Sequence, residues 1–340
     1  MYRCLELARL AAGYTAPNPV VGSVLVYEDR IIGEGYHEVY GQAHAEVNCI
    51  RSVKPEDEHL IPLSTIYVSL EPCAHHGKTP PCADLIIAKK IPRVVVGCRD
   101  PFPLVDGKGI EKLRAAGIAV VLGVLEQECV ELNKRFFTFH VKHRPYIILK
   151  WAQTANSRIA GGEGSERLMI SNAYSRRLVH KWRAEEASIL VGTRTALLDD
   201  PSLTVRDWKG PDPFRLVIDK RLELPTSLRI FDRSVPTIVF NDRLHEEGEK
   251  LSFYQLAADS SLVQQIVMAL HRLKIDSVLV EGGARLLQSF IDEGMWDEAR
   301  VITNESLLVS EGLAAPVLSG GRHAGSEQLG SDRVDYYRQP

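Results

Sequence analysis

The chain has 340 residues, more than one core of ordinary size needs, so two domains are expected. Its net charge of −3 lacks the basic footprint of a polynucleotide-binding protein. No apolar run reaches transmembrane length and residues 1–5 carry no signal-peptide core, which points to the cytoplasm; six cysteines in so long a chain do not read as a disulfide framework.

In chain order, Leu5, Ala8 and Ala12 share one face of a helix over residues 1–12, which Gly13 stops. Ala16-Pro17-Asn18-Pro19 is a rigid turn into a strand at 20–27, and Glu28-Asp29 turns the chain into a second strand at 30–36. Asn18 and His37 therefore fall in loops. Spacing alone makes Asn18 a turn cap and His37 a surface residue. His44 opens a helical segment at 45–53. The β-branched, apolar run 65–70 reads as a strand entering a cysteine loop, and Cys82 opens a helix at 83–90.

His44, Cys73 and Cys82 supply one imidazole and two thiols, a set suited to tetrahedral zinc with its fourth position left to water. Water on such a zinc has its pKa lowered to about 7. Glu46 lies two residues beyond the histidine, spaced to move protons rather than to ligate. The pattern H-x-E…P-C…C is that of zinc deaminases, in which ammonia leaves an amidine-like ring carbon. Each half of the pattern is weak alone. The strand leading into the cysteine loop, and two helix starts meeting at one point, make the joint reading the stronger one. With no fourth protein ligand evident, catalysis is favoured over a structural staple.

Beyond Cys82 come a strand at 93–97, a helix at 109–116, a strand at 118–124 and one long helix from 126 to about 140. This alternation argues for an α/β layered sheet. Asp100-Pro101 ends a strand at the edge of the cysteine loop, where the carboxylate either turns the chain or meets a sugar or base. The domain boundary falls at His143-Arg144-Pro145, giving domains 1–143 and 144–340.

The second domain starts with a strand at 146–152 and a flexible Gly-rich loop at 161–165. Ser171 and Asn172 cap a helix at 173–183. Further strands are expected at 187–191, 214–219, 237–240, 277–280 and 299–303, with helices at 262–274 and 284–292. Glu281-Gly282-Gly283 joins a strand to a helix, a junction whose backbone N–H groups can hold a pyrophosphate. It is not the G-x-G-x-x-G fingerprint, and a close strand–helix turn is an equal alternative. The run 191–201 sets polar groups at a strand end, so this domain is a candidate nucleotide or phosphate binder.

Several stretches closely resemble the bifunctional riboflavin-biosynthesis deaminase–reductase family. They are Ala16-Pro17-Asn18-Pro19-Val20-Val21-Gly22, Gly33-Glu34-Gly35-Tyr36-His37, His44-Ala45-Glu46-Val47 and the run from Glu71 to Cys82 through His75-His76-Gly77-Lys78-Thr79-Pro80-Pro81. In the second half the resemblance rests on Lys150, on Val191-Gly192 through Asp199-Asp200-Pro201 to Arg206, and on Glu281-Gly282-Gly283. It implies an α/β protein of two domains, a cytidine-deaminase-like α/β/α sandwich and a dihydrofolate-reductase-like domain. The implied reactions are deamination of 2,5-diamino-6-ribosylamino-4(3H)-pyrimidinone 5′-phosphate, then NADPH reduction of its ribosyl group to ribityl.

Carried over by motif, His44, Cys73 and Cys82 hold Zn²⁺, and Glu46 shuttles protons. Asn18, His37, His75 and Lys78 contact the deaminase substrate, Lys78 through its phosphate. Lys150 meets the pyrimidine in the reductase, and Arg183, Leu203, Arg206 and Glu281 line that substrate. Gln153, Thr195, Asp199, Gly282 and Gly283 hold NADPH. The expected partners are a small-molecule pyrimidine ribotide and further copies of this chain, with neither nucleic acid nor membrane.

The chain also departs from that family. Thr154-Ala155-Asn156-Ser157 stands where Ser-Leu/Ala-Asp-Gly is usual, and losing the glycine is expected to change the turn. Arg167-Leu168-Met169-Ile170 replaces Ser-x-Trp-Ile, removing an aromatic near the expected nicotinamide. Phe102 replaces an asparagine. Two competing readings remain: a deaminase of another nucleobase whose second domain binds without reducing, and a zinc-stapled binding module without turnover.

Overall fold

The computed structural model describes residues 1–75, 80–162, 168–257 and 260–340, and the chain divides into two compact units, Met1–His143 and Arg144–Pro340. Among the described residues no helix is long and apolar enough to cross a membrane.

The first unit is built on a five-stranded sheet: β1 (Gly22–Tyr27), β2 (Arg30–Tyr36), β3 (Thr65–Leu70), β4 (Arg93–Cys98) and β5 (Ala119–Leu122) in the order β2-β1-β3-β4-β5. Strand β1 is antiparallel to both neighbours, whereas β3, β4 and β5 run parallel. Because side chains alternate along a strand, Ile66 and Val68 face one layer. There they pack with Cys49 and Ile50 of α2 (Ala45–Arg51), Ala83 and Ile86 of α3 (Cys82–Ala88) and Leu113 of α4 (Lys108–Ala115). On the opposite face Cys4 and Leu7 of α1 (Tyr2–Arg9) pack with Val24 and Tyr67, and a Cβ on Gly97 would meet Cys129 of α5 (Glu126–Leu132), which clusters with Phe136 of α6 (Lys134–Lys142). Three layers result.

The single helix expected from 126 to 140 is two helices. The break is at Asn133, whose side chain donates to Val20 O at 3.0 Å and accepts from Val20 N at 2.9 Å. These bonds fasten the helix junction to the turn that carries Asn18. A short 3₁₀ segment at Pro55–Leu63 was also not anticipated.

The second unit holds a nine-stranded sheet. In chain order its strands include β6 (Tyr146–Thr154), β8 (Ser188–Val191), β9 (Phe214–Ile218), β10 (Thr237–Asn241), β11 (Leu251–Gln255), β12 (Ser277–Gly282), β13 (Glu298–Asn304), β15 (Arg322–Leu329) and β16 (Asp332–Arg338). The order is β11-β10-β9-β8-β12-β6-β13-β16-β15, antiparallel only where β16 meets β13 and β15. A separate pair joins β7 (Arg158–Gly161) to β14 (Gly312–Ala314). Ile147, Leu149 and Trp151 of β6 face α9 (Leu262–Arg272) and α10 (Ala284–Asp292), while Ile148 faces α7 (Ala173–Glu185) through Val179 and Trp182. Lys150 shares the parity of Ile148, so it lies on the α7 side. The polar run after β8 is not an open strand end: Thr193–Asp199 forms a further helix, α8.

Candidate active sites

In the first unit, His44 is the N-cap of α2 and Cys82 is the first residue of α3, so chain segments separated by β3 converge. His44 Nδ1 lies 3.6 Å from Cys73 Sγ and 3.4 Å from Cys82 Sγ, and the three donor atoms lie within 4.8 Å of one another. Tetrahedral zinc with its usual bond lengths, ~2.05 Å to nitrogen and ~2.3 Å to sulfur, would separate such donors by about 3.6 Å. The donor set therefore fits zinc in identity and spacing. The Cys82 thiol donates to Cys73, which with nearby His44 holds the Cys73 thiol down to about 4 against the effect of burial, while Cys82 is raised. The Cys82 backbone N–H also donates to Cys73 Sγ at 3.3 Å.

Glu46 sits inside the first turn of α2 and is buried. Burial first, then the charge of Cys73, raises its carboxyl above the usual range. His37 is buried rather than at the surface. Its ring centroid is 5.3 Å from that of His44. Its Nδ1 pairs with Ala43 O at 3.0 Å and its Nε2 with Asn18 Nδ2 at 3.3 Å. This network assigns the proton to Nδ1 and makes Nε2 the acceptor, consistent with burial lowering the pKa of His37. His75 keeps a buried Nδ1 without a partner among the described residues, and its ring packs edge-on against Phe102 at 6.0 Å. Lys78 lies outside the described residues.

Sequence reasoning gave Glu71 no role. Its buried carboxylate accepts four backbone N–H groups: Gly107 at 2.9 Å and Asp100 at 3.3 Å on Oε2, Gly109 at 2.9 Å and Ile110 at 3.2 Å on Oε1. Glu71 thereby caps α4 from another strand and ties Pro72-Cys73 to the loop bearing Phe102. Gly109 is required by the close approach: a Cβ there would come within 1.9 Å of Pro72 O. Asp100 accepts from Phe102 N at 2.8 Å, so it does turn the chain, and burial raises its carboxyl to about 7.

In the second unit, Arg183 of α7 grips Glu281 through Nε and Nη2, both at 2.8 Å, and Lys150 Nζ lies 3.7 Å from the same carboxylate. Burial alone would raise Glu281, but the charges of Arg183 and Lys150 outweigh it and hold Glu281 down to about 2. Burial lowers Lys150, with Glu281 opposing. Arg183 Nη1 donates to Thr204 O at 3.3 Å, and Arg206 Nη1 to Thr204 Oγ1 at 3.1 Å. The Leu203 side chain is packed in the core with Ile189, Val191 and Val217, so it does not line an open site.

Gly282 O accepts from Gly192 N at 2.9 Å, and a Cβ on Gly283 would lie 3.1 Å from Thr195 Oγ1, which puts Thr195 against the paired glycines. Asp199 ends α8 one turn beyond Thr195. Gln153 accepts from Trp151 Nε1 at 2.8 Å and donates to Thr303 Oγ1 at 3.2 Å. Ser157 retains the turn that glycine would favour, adopting φ +57°. Asn156 supports it, accepting from Thr154 Oγ1 at 2.8 Å and donating to Val309 O at 2.7 Å.

Residues 1–98 match the cytidine and deoxycytidylate deaminase zinc-binding region, and residues 145–319 match the RibD C-terminal domain. The riboflavin biosynthesis protein RibD of Aquifex aeolicus is 41% identical over 352 aligned residues, spanning 100% of this chain and 97% of that protein. The chain belongs to the RibD family. RibD of Escherichia coli is 35% identical over 94% of this chain and 90% of its own length. A solved Thermotoga maritima structure, a diaminohydroxyphosphoribosylaminopyrimidine deaminase/5-amino-6-(5-phosphoribosylamino)uracil reductase, superposes with TM-score 0.91 at 36% identity, covering 100% of this chain and 97% of that one. Acinetobacter baumannii RibD superposes with TM-score 0.89 at 31% identity, with the same coverage. The two α/β halves are thus those of RibD, a bifunctional deaminase and reductase of riboflavin biosynthesis. The cysteine–histidine cluster is in the half matched by the zinc-binding deaminase region, and the RibD reductase half takes a nicotinamide cofactor.

Proposed function

We propose that the first unit deaminates 2,5-diamino-6-ribosylamino-4(3H)-pyrimidinone 5′-phosphate and that the second reduces the product's ribosyl group to ribityl with NADPH. The observation that carries this reading is the tetrahedral spacing of His44 Nδ1, Cys73 Sγ and Cys82 Sγ beside the buried Glu46. Zinc held by these three donors supplies the Lewis acidity that brings the pKa of water toward neutrality. Glu46 takes one proton from the attacking water and passes it to the ring nitrogen, then takes the second from the added hydroxyl and passes it to the departing amine, which leaves as ammonia, a role worth roughly 10²–10⁴ in rate. Asn18, His37 and His75 orient the pyrimidine, the buried His75 Nδ1, without a partner among the described residues, offering a hydrogen-bonding site, and Lys78 takes the phosphate.

In the second unit NADPH supplies the hydride chemistry. Lys150 meets the pyrimidine. Arg183 and Arg206 receive the ribotide with the main chain of Leu203, while Glu281 holds Arg183 and Lys150 in place. Gln153, Thr195, Asp199 and the Gly282-Gly283 turn hold the cofactor. The substrate is a small molecule in the cytoplasm rather than a nucleic acid, in keeping with the net charge of −3. Incubation with the diaminopyrimidine ribotide, followed by mass, tests the sequence of steps. An amine-to-oxo change is expected without NADPH and a two-hydrogen gain only after it is added. Reduction preceding ammonia release, or no change in mass at all, would refute the reading.

A further inference from the structure

His180 has no part in the chemistry above, yet it is buried on the α7 face that carries Arg183, one turn away. Its Nδ1 accepts the backbone N–H of Arg206 at 3.1 Å, and its Nε2 faces Asp207 Oδ2 at 3.5 Å. The arrangement fixes the tautomer: the proton sits on Nε2, directed at Asp207, and Nδ1 is the acceptor. The loop from Leu203 to Asp207 is thus held at three points: Arg183 on Thr204 O, Asp212 Oδ1 on Val205 N at 2.6 Å, and His180 on Arg206 N. Only the His180 tie can be undone by one proton near physiological pH.

We propose that neutral His180 is the positioning residue for Arg206, fixing the guanidinium-bearing loop for the ribotide, and that protonation of the ring releases it and weakens substrate capture. The proposal rests on the reading that Arg206 receives the ribotide. Protonated His180 has no lone pair at Nδ1, so the Arg206 N–H loses its acceptor inside a partly buried site. The charged groups facing the ring are Arg183 on its own helix, Arg206 and Asp207 on the loop, and Glu281 at the end of β12. Arg177 and Lys181, also on α7, lie over the Trp208 ring, at 5.4 Å and 5.8 Å from its centroid. Burial, then the two arginines, lowers the pKa of His180 below its ordinary 6.5, with Asp207 and Glu281 opposing. The tie is therefore intact at pH 6.5 and above, and fails only as pH falls through that lowered pKa.

The test is steady-state reduction of the deaminated ribotide by the full chain, with KM and kcat followed from about pH 8 to about pH 5.5. His180→Phe removes the acceptor and should raise KM for the ribotide about two- to tenfold, the worth of one hydrogen bond, leaving kcat and KM for NADPH within about twofold. His180→Asn sets an amide oxygen near the place of Nδ1. It should bring KM back to the parent value and lose the acid rise in KM beyond what the substrate phosphate, with a pKa near 6, imposes on every variant. An unchanged KM in His180→Phe overturns the proposal, as does an acid limb that persists in His180→Asn. If His180→Phe does not fold, the Asn profile decides. Arg206→Gln separates the two levels: unchanged ribotide KM in that variant sinks both the Arg206 reading and this proposal. A raised KM there with no effect of His180→Phe sinks the proposal alone.

Discussion

Replacing Glu71 by glutamine tests how the zinc-ligand loop is supported. The carboxylate now accepts four backbone N–H groups at 2.9–3.3 Å from a buried position. A glutamine keeps one acceptor oxygen and turns an NH₂ group toward the other two donors. If its oxygen serves Gly109 and Ile110, the N–H groups of Asp100 and Gly107 are left unpaired. Each buried donor without a partner costs about 1–3 kcal/mol, so the variant should lose about 2–6 kcal/mol in the first unit. That is a large part of the 5–15 kcal/mol typical of a folded domain. Urea titration of the full chain, read by zinc release to a chromogenic chelator, should show a midpoint lowered by about 1–3 M. Reductase activity, read in the same titration, should lose its signal at the parent midpoint. A zinc-release midpoint within about 0.3 M of the parent's would refute the reasoning, because an NH₂ group cannot replace a carboxylate oxygen there without cost.

Two further outcomes follow from the second unit. Ser157 holds φ +57°, a region costing an L-residue about 1 kcal/mol, so Ser157→Gly should raise the thermal midpoint of this unit by a few degrees; an unchanged or lowered midpoint would contradict that. Glu281→Gln leaves the Arg183 and Lys150 charges buried without their counter-charge and should cost about 3–5 kcal/mol, measured by denaturant unfolding. Because the Glu281 pKa is depressed to about 2, its contribution is fully present above the free carboxyl value near 4.5 and is lost as pH falls toward 2. The glutamine variant should lack that acid limb, and its persistence would assign the limb to another group.

Much of the fold was legible because burial wrote itself into the pattern. Thr65–Leu70 and Tyr146–Thr154 are strands whose alternate residues enter opposed cores, and Asn172 does cap its helix, accepting from Tyr174 N and Ser175 N. The zinc-type donors were legible because they lie close to strand and helix ends that the sequence marks. Other features depend on partners far away in sequence. Nothing near Asn133 announces a helix break, since the bonds that stabilise it go to Val20. Strands β15 and β16 were missed because β15 is largely exposed and polar while β16 buries Asp332 and Asp335 beside Val334, so neither shows clean apolar alternation, and the tight connection at Gly330 (φ +63°) is a weak signal. Glu71 and His180 were silent for the same reason: a carboxylate that collects four amides, and an imidazole that accepts one, are visible only once the chain has folded around them.

Zinc content and ammonia release, measured together in Glu46→Gln, separate the metal ligands from the proton carrier. His44, Cys73 and Cys82 are untouched in that variant, so it should keep the parent zinc content while ammonia release from the diaminopyrimidine ribotide falls by about 10²–10⁴. Ammonia release at the parent rate would contradict the account, as would a parent chain that deaminates the ribotide without binding zinc.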